Sequence, residues 1–198
     1  DKFGARKNAS NSIADIERLI TYSHKFRAKV YAAVNTIFND EEIEHAVKLI
    51  HELYNAGIDG IIIQDMGVLE CSLPPVKLIA STQTENSSPE KVKFLEDCGF
   101  SRVILARELG LKEIREIRRN TSVELEAFVH GAACVSFSGN CYMSYFIGER
   151  SANRGECAQP CRNKYSLFDE KNRLICADKY LLSLKDINRS EYIGEMIS

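Results

Sequence analysis

The stretch "VYAAVNTIFNDEEIEHAVKLIHELYNAGIDGIIIQD" (residues 30–65) decides the fold class. It opens with a short, mostly apolar run, "VYAAVNTI", that turns polar at Asn35 and Thr36. Acidic residues then start a helix whose apolar positions, Ile43, Ala46, Val47, Ile50 and Leu53, follow the helical period, and Gly57 stops it. "GIIIQD" (60–65) is a second strand, again apolar and again ending in polar side chains, Gln64 and Asp65. Strand, helix, strand in one short stretch is the building unit of a parallel sheet.

Outward from this unit the alternation continues. Residues 13–26 read as an amphipathic helix with Ile13, Ile16, Leu19 and Ile20 on one face, and "VKLIAST" (76–82), "RVILAR" (102–107) and "VELEAFVHGA" (123–132) read as strands. Of the intervening helices, "SPEKVKFLEDCG" opens with Ser88 as N-cap and Pro89 in first position, and "GLKEIREIRRNT" turns Leu111, Ile114 and Ile117 inward. Near-continuous apolar strands imply a sheet covered on both faces. No glycine-rich phosphate fingerprint follows the first strand, which argues against a dinucleotide-binding domain.

The expected class is α/β, a (β/α) TIM-barrel-like fold. Five strands before Cys134 fall short of the eight that close such a barrel, so the barrel is expected to be incomplete, and a chain opening on Asp1 rather than Met reads as an internal piece. Its expected units are a barrel portion, 1–133, and a cysteine-rich site segment leading into the next barrel portion, 134–198. Strand ends form the functional mouth of this fold, which makes Asn35 and Gln83 candidate substrate-binding residues and Arg107 and His130 candidate catalytic ones.

Composition narrows the class further. With 44% hydrophobic and 27% charged residues, the 198-residue chain has the balance of a soluble globular domain, without a membrane-spanning apolar run. A net charge of -2 leaves only local patches for binding nucleic acid. Seven cysteines, an odd number beside a real core and without a signal peptide, point to a reducing, cytoplasmic compartment rather than a disulfide framework.

After Ala133 the alternation stops, and residues 134–176 form a long stretch rich in Cys, Gly, Ser, Asn and Arg, of the kind a compact domain keeps for a function. Cys134, Cys141, Cys157, Cys161 and Cys176 lie in it, at spacings of 7, 16, 4 and 15. Only Cys157 and Cys161 have the spacing of a structural zinc pair, whereas iron-sulfur clusters also take four thiolates and tolerate irregular spacing. The plainer reading, that these are small buried hydrophobes, suits the isolated Cys71 and Cys98.

Other side chains leave alternatives open. His130 reads as a ligand, an acid/base group or a satisfied polar residue at a strand end. Glu124 and Glu126 share a strand face, where an unpaired inward carboxylate is costly, so Glu126 is a catalytic candidate and Glu124 with Arg107 a candidate ion pair. Arg150, Arg154, Arg162 and Lys164 oppose only Glu156 within 150–164, a patch able to hold a phosphate backbone or a small dicarboxylate, or else a solvated loop face. Ser136 and Ser138 do not sit in a G-x-S-x-G setting, and no H-E-x-x-H occurs.

"ELEAFVHGAACVSFSGNCYMS" (124–144) and "RSANRGECAQPCRNKYSL" (150–167) resemble the collagenase-like peptidase family of unassigned catalytic type, with its E-x-F-x-x-G and C-x(6)-C-x-x-S signature. "GARKNASN", "VNTIFNDEE", "ASTQ", "RVILARELGLKEI" and "KYLLSLKD" extend the resemblance over nearly the whole chain. The family's name implies a protease acting on denatured collagen or peptides. Its better understood members imply instead oxygen-independent or prephenate-dependent hydroxylation of tRNA uridine, rRNA cytidine or ubiquinone precursors with a [4Fe-4S] cluster. Carried over residue by residue, the resemblance gives Cys134, Cys141 and Cys157 as ligands. The fourth place falls to Cys176, in "LICADKYLL", with Cys161 as competitor. It further implies the RNA-modifying branch, with tRNA uridine hydroxylation first, rRNA as the related substrate and prephenate as co-substrate. A protease, or a non-catalytic domain stabilised by zinc, is the alternative, and an internal piece is expected to be inactive alone.

Overall fold

The computed structural model of the chain describes residues 3, 4 and 11–197, so most of "GARKNASN" lies outside the described residues. Five strands, β1 (Tyr31–Val34), β2 (Gly60–Ile63), β3 (Leu78–Ala80), β4 (Arg102–Ile104) and β5 (Glu124–Glu126), form one parallel sheet in chain order. Each pairs with the next, Val34 beside Ile63, Ile63 beside Ala80, Ala80 beside Val103, and Val103 beside Leu125. A sheet that grows in one direction without a switch point is that of a (β/α) barrel rather than a doubly wound fold. It does not close.

Helices α1 (Ile13–His24), α2 (Asp40–Asn55), α3 (Pro89–Asp97) and α4 (Leu111–Asn120) cover the sheet. Their starts are fixed locally. Ser12 and Asp15 satisfy each other's backbone N–H at α1, the Glu42 carboxylate accepts the Asn39 N–H at α2, and Ser88 accepts the Lys91 N–H at α3. Ala46, Ile50 and Leu53 of α2 join Ile61 and Ile63 of β2, Val92 and Leu95 of α3, and Ile117 of α4 in one buried cluster. Each fully buried aliphatic side chain of this size contributes about 1.5–3 kcal/mol.

The expected strand over 123–132 divides. Glu124–Glu126 stays in the parallel sheet, whereas β6 (His130–Gly131) pairs antiparallel with β9 (Ile187–Asn188). The Arg189 N–H donates to the Val129 carbonyl, which draws this part of the chain away from β4. The remainder comprises α5 (Met143–Gly148), the hairpin β7 (Tyr165–Phe168) and β8 (Leu174–Lys179), and α6 (Ile193–Ile197). Buried hydrophobic side chains end at Val123, and beyond it the buried residues are Ser138, Ser144 and Pro160. Among the described residues no helix is long and apolar enough to cross a membrane.

Candidate functional site

At the C-terminal ends of the parallel strands lies a cavity of about 1080 Å³. Asn35 after β1, Gln83 after β3, Arg107 after β4 and His130 on β6 line it from the sheet. Cys134, Cys141, Cys157 and Cys161 line it from the irregular segment. Four thiols separated by up to 27 positions in sequence thus reach one cavity. Cys176 lies on β8 opposite Leu167 in the hairpin and is not among the lining residues.

Polar contacts hold the segment to the sheet. Ser138, wholly buried, donates its hydroxyl to Glu108 (2.9 Å) and accepts from the Arg107 backbone N–H and Nε (both 3.3 Å), while its own N–H donates to Glu108 (3.0 Å). Gly139 follows at φ +80°, and a Cβ there would stand 2.0 Å from the Gln83 carbonyl oxygen, so only glycine allows this approach. Asn140 donates to Glu85. Together these three residues dock the Cys134–Cys141 loop onto the ends of β3 and β4.

The second half of the segment has its own anchors. Arg154 places Nη2 on both carboxylate oxygens of Glu42 (2.8 and 2.9 Å) and donates Nη1 to the Ile37 carbonyl (2.6 Å), charge-assisted contacts that tie the turn before Cys157 to the start of α2. The Ala158 N–H donates to buried Ser144 (2.9 Å), joining the chain after Cys157 to the helix after Cys141. Arg162 donates to the Ala133 carbonyl (2.7 Å), the Leu184 carbonyl (3.0 Å) and the Ser183 hydroxyl (2.6 Å), fixing the residue before Cys134 beside the one after Cys161.

The electrostatics follow from this crowding. Burial pushes the Cys161 thiol up and neighbouring Cys134, Cys157 and Cys141 add to the rise, with the Arg162 guanidinium opposing them. The Gln159 N–H donates to the Cys157 sulfur (3.3 Å). Among the described residues no three His, Cys, Asp or Glu side chains gather tightly enough to hold one metal ion. The four cysteines line the one cavity and lie close enough for Cys134, Cys157 and Cys141 to act on Cys161.

Of the arginines in the basic patch, Arg154 and Arg162 make the internal contacts above, and Arg150 donates its Nε to the Glu156 carbonyl (3.1 Å) while lining the cavity. Glu126 does not line the cavity. It and Glu124 both bond Arg102 (3.2 and 2.7 Å), and this replaces the expected Glu124–Arg107 pair because β4 and β5 pair in register with Arg102 beside Glu124. Asp65 is structural, accepting the Phe38 and Gly67 N–H groups. Glu42, Glu108, Gly139 and Ser144 escaped the sequence reading, and Ser138 entered it only as a serine outside a nucleophile motif. The Ser-Gly pair inside the C-x(6)-C loop was the available signal.

A profile described as "Peptidase family U32" matches residues 1–198. The 23S rRNA 5-hydroxycytidine C2501 synthase of Escherichia coli is 48% identical over 98% of this chain and 30% of its own length. The tRNA hydroxylation protein P1 of Bacillus subtilis is 34% identical over 99% of this chain and 49% of its own. A protein of Porphyromonas gingivalis named collagenase is 31% identical over 98% of this chain and 50% of its own. The chain therefore spans between about a third and half the length of these relatives. The solved structure of a U32 peptidase, 16% identical, superposes with a TM-score of 0.54 over 67% of this chain and 58% of that one, which supports the fold. On the full-length profile match and these identities, the chain belongs to peptidase family U32.

Proposed function

We propose that this chain is the cysteine-bearing part of an enzyme that hydroxylates a pyrimidine of RNA with the help of an iron-sulfur cluster. The observation that carries the reading is the convergence of Cys134, Cys141, Cys157 and Cys161 on one cavity at the strand ends, in a chain 48% identical to an rRNA hydroxycytidine synthase. That identity, against 34% for the tRNA protein, moves the preferred substrate from tRNA uridine to rRNA cytidine.

Four cysteines on one cavity, no three of the described ligands gathered about a single point, suit a cluster, whose thiolates bond to separate irons, better than a single zinc ion. Bound there, the cluster supplies one-electron redox chemistry. Cys134, Cys141 and Cys157 give three thiolates. The motif favours Cys176 for the fourth place and the cavity favours Cys161, and single alanine variants separate the two. Arg162, Ser138 and Arg154 preset the loops that carry these thiols, and Arg107, held by Ser138, presents a fixed cation to whatever enters. The oxygen donor, prephenate by family resemblance, reaches the same cavity.

The test is nucleoside mass spectrometry of rRNA and tRNA from cells lacking the full-length gene. Hydroxylated pyrimidine should vanish, return with the wild-type gene, and stay absent with Cys134→Ala. Unchanged modification would refute the reading. The protease reading has the family name and the collagenase relative behind it. It requires gelatin cleavage that co-purifies with the protein and falls with His130→Ala.

A further inference from the structure

Gln83 combines a fixed backbone with a free side chain. Its N–H donates to Ser81 (3.2 Å), its carbonyl accepts from Gln64 (3.2 Å), and Gly139 packs directly on that carbonyl. Its side-chain amide makes no hydrogen bond among the described residues, and Gln83 is one of the residues lining the cavity. Its neighbours are engaged: Thr82 donates to the Leu105 carbonyl, Asn35 to Ser81, and Arg107 to Ser138. Phe128 and Phe137, 39% and 65% exposed, line the same cavity.

A planar amide offers a donor and an acceptor side by side, the arrangement that reads a base edge with two hydrogen bonds. A cavity of about 1080 Å³ is the size of a small-molecule pocket and excludes a folded RNA helix, so a target base must leave its stack to enter. Aromatic side chains lining the same cavity suit an unstacked base.

We propose that Gln83 reads the Watson–Crick edge of a single extruded pyrimidine held in this cavity; the inference rests on the RNA reading above. The amide N–H faces cytosine N3 while its oxygen accepts from N4. Turned by half a rotation about its last bond, it faces uracil O4 and N3–H equally well. Gln83 therefore holds either pyrimidine, and other contacts distinguish them.

The experiment uses full-length protein, purified without oxygen, and total RNA from cells lacking its gene. Ultraviolet light at a wavelength absorbed by natural bases joins bound pyrimidines to adjacent side chains, and mass spectrometry locates the adducts. Adducts are expected on peptides lining the cavity, above all those carrying Phe128 or Phe137. Gln83→Ala and the isosteric Gln83→Glu should each lower that yield roughly 5- to 100-fold, the range for a lost bidentate pair. Total RNA retained, governed by phosphate contacts, should change less than about 2-fold. Adducts confined to other surfaces, or a cavity yield unmoved by both variants, would overturn the role of Gln83 alone. No RNA retained at all would overturn both it and the RNA reading.

Discussion

The sheet half, up to β5, and the cysteine half beyond it are held together in different ways. The first buries a continuous aliphatic cluster, including Ile50, Ile61, Leu95 and Ile117. The second leaves Phe137, Tyr142, Phe146, Leu174 and Ile175 exposed, and its buried side chains are two serines and a proline. Hydrophobic burial gives the sheet a stability of its own, whereas the cysteine half takes its order from polar latches to the strand ends. A bound metal group would add to that order by linkage.

The largest effect should come from the core. Ile50→Ala should lower stability by about 2–5 kcal/mol, read from the urea midpoint of the helical circular-dichroism signal. Loss of the sheet should carry the cysteine half with it. Gly139→Ala should act the other way round: a Cβ pressed against the Gln83 carbonyl should cost about 1–3 kcal/mol and release the segment. Limited proteolysis should then cut within 134–176 while the sheet stays intact, and simultaneous loss of both halves would show that they fold as one unit.

Arg154→Ala removes an ion pair with Glu42 and a carbonyl contact, worth about 1–2 kcal/mol locally. Hydrogen exchange should speed up around residues 150–157 and stay unchanged in β2 and β3.

The smallest effect is the acid sensitivity that Asp59 gives the sheet half. Burial raises the Asp59 carboxyl, but hydrogen bonds from His24 and the Val30 N–H outweigh it and hold the group below its ordinary value. A depressed folded value means that the stabilisation is present above the unfolded pKa, about 3.9, and fades as pH falls through the folded one. Asp59→Asn should flatten the stability curve below about pH 4 by less than about 1 kcal/mol.

The parallel sheet was legible in the sequence because each strand and helix repeats its signal over many residues, as α2 does from Ile43 to Leu53. The break between β5 and β6 was not, because β6 takes its partner from Ile187 and Asn188, more than fifty positions away, and "VELEAFVHGA" carries no local stop. Clustering marked Cys134, Cys141, Cys157, Cys161 and Cys176 as a group, and the family resemblance, not their spacing, singled out Cys134, Cys141 and Cys157 among them. The latches stayed hidden for the same reason as the strand break: Arg154 and Glu42 are 112 positions apart, and nothing near Arg154 distinguishes it from a solvated arginine. Register also decided that Arg102, and not Arg107, pairs with Glu124.

We propose that the cysteine half is organised to hold a cluster. Iron and acid-labile sulfide, with an absorption spectrum, should be measured on full-length protein purified without oxygen, beside Cys141→Ala, Cys161→Ala and Cys176→Ala. About four irons and four sulfides per chain are expected, lost in Cys141→Ala and in one of the other two variants. Stoichiometric zinc, or iron retained in all three variants, would contradict it.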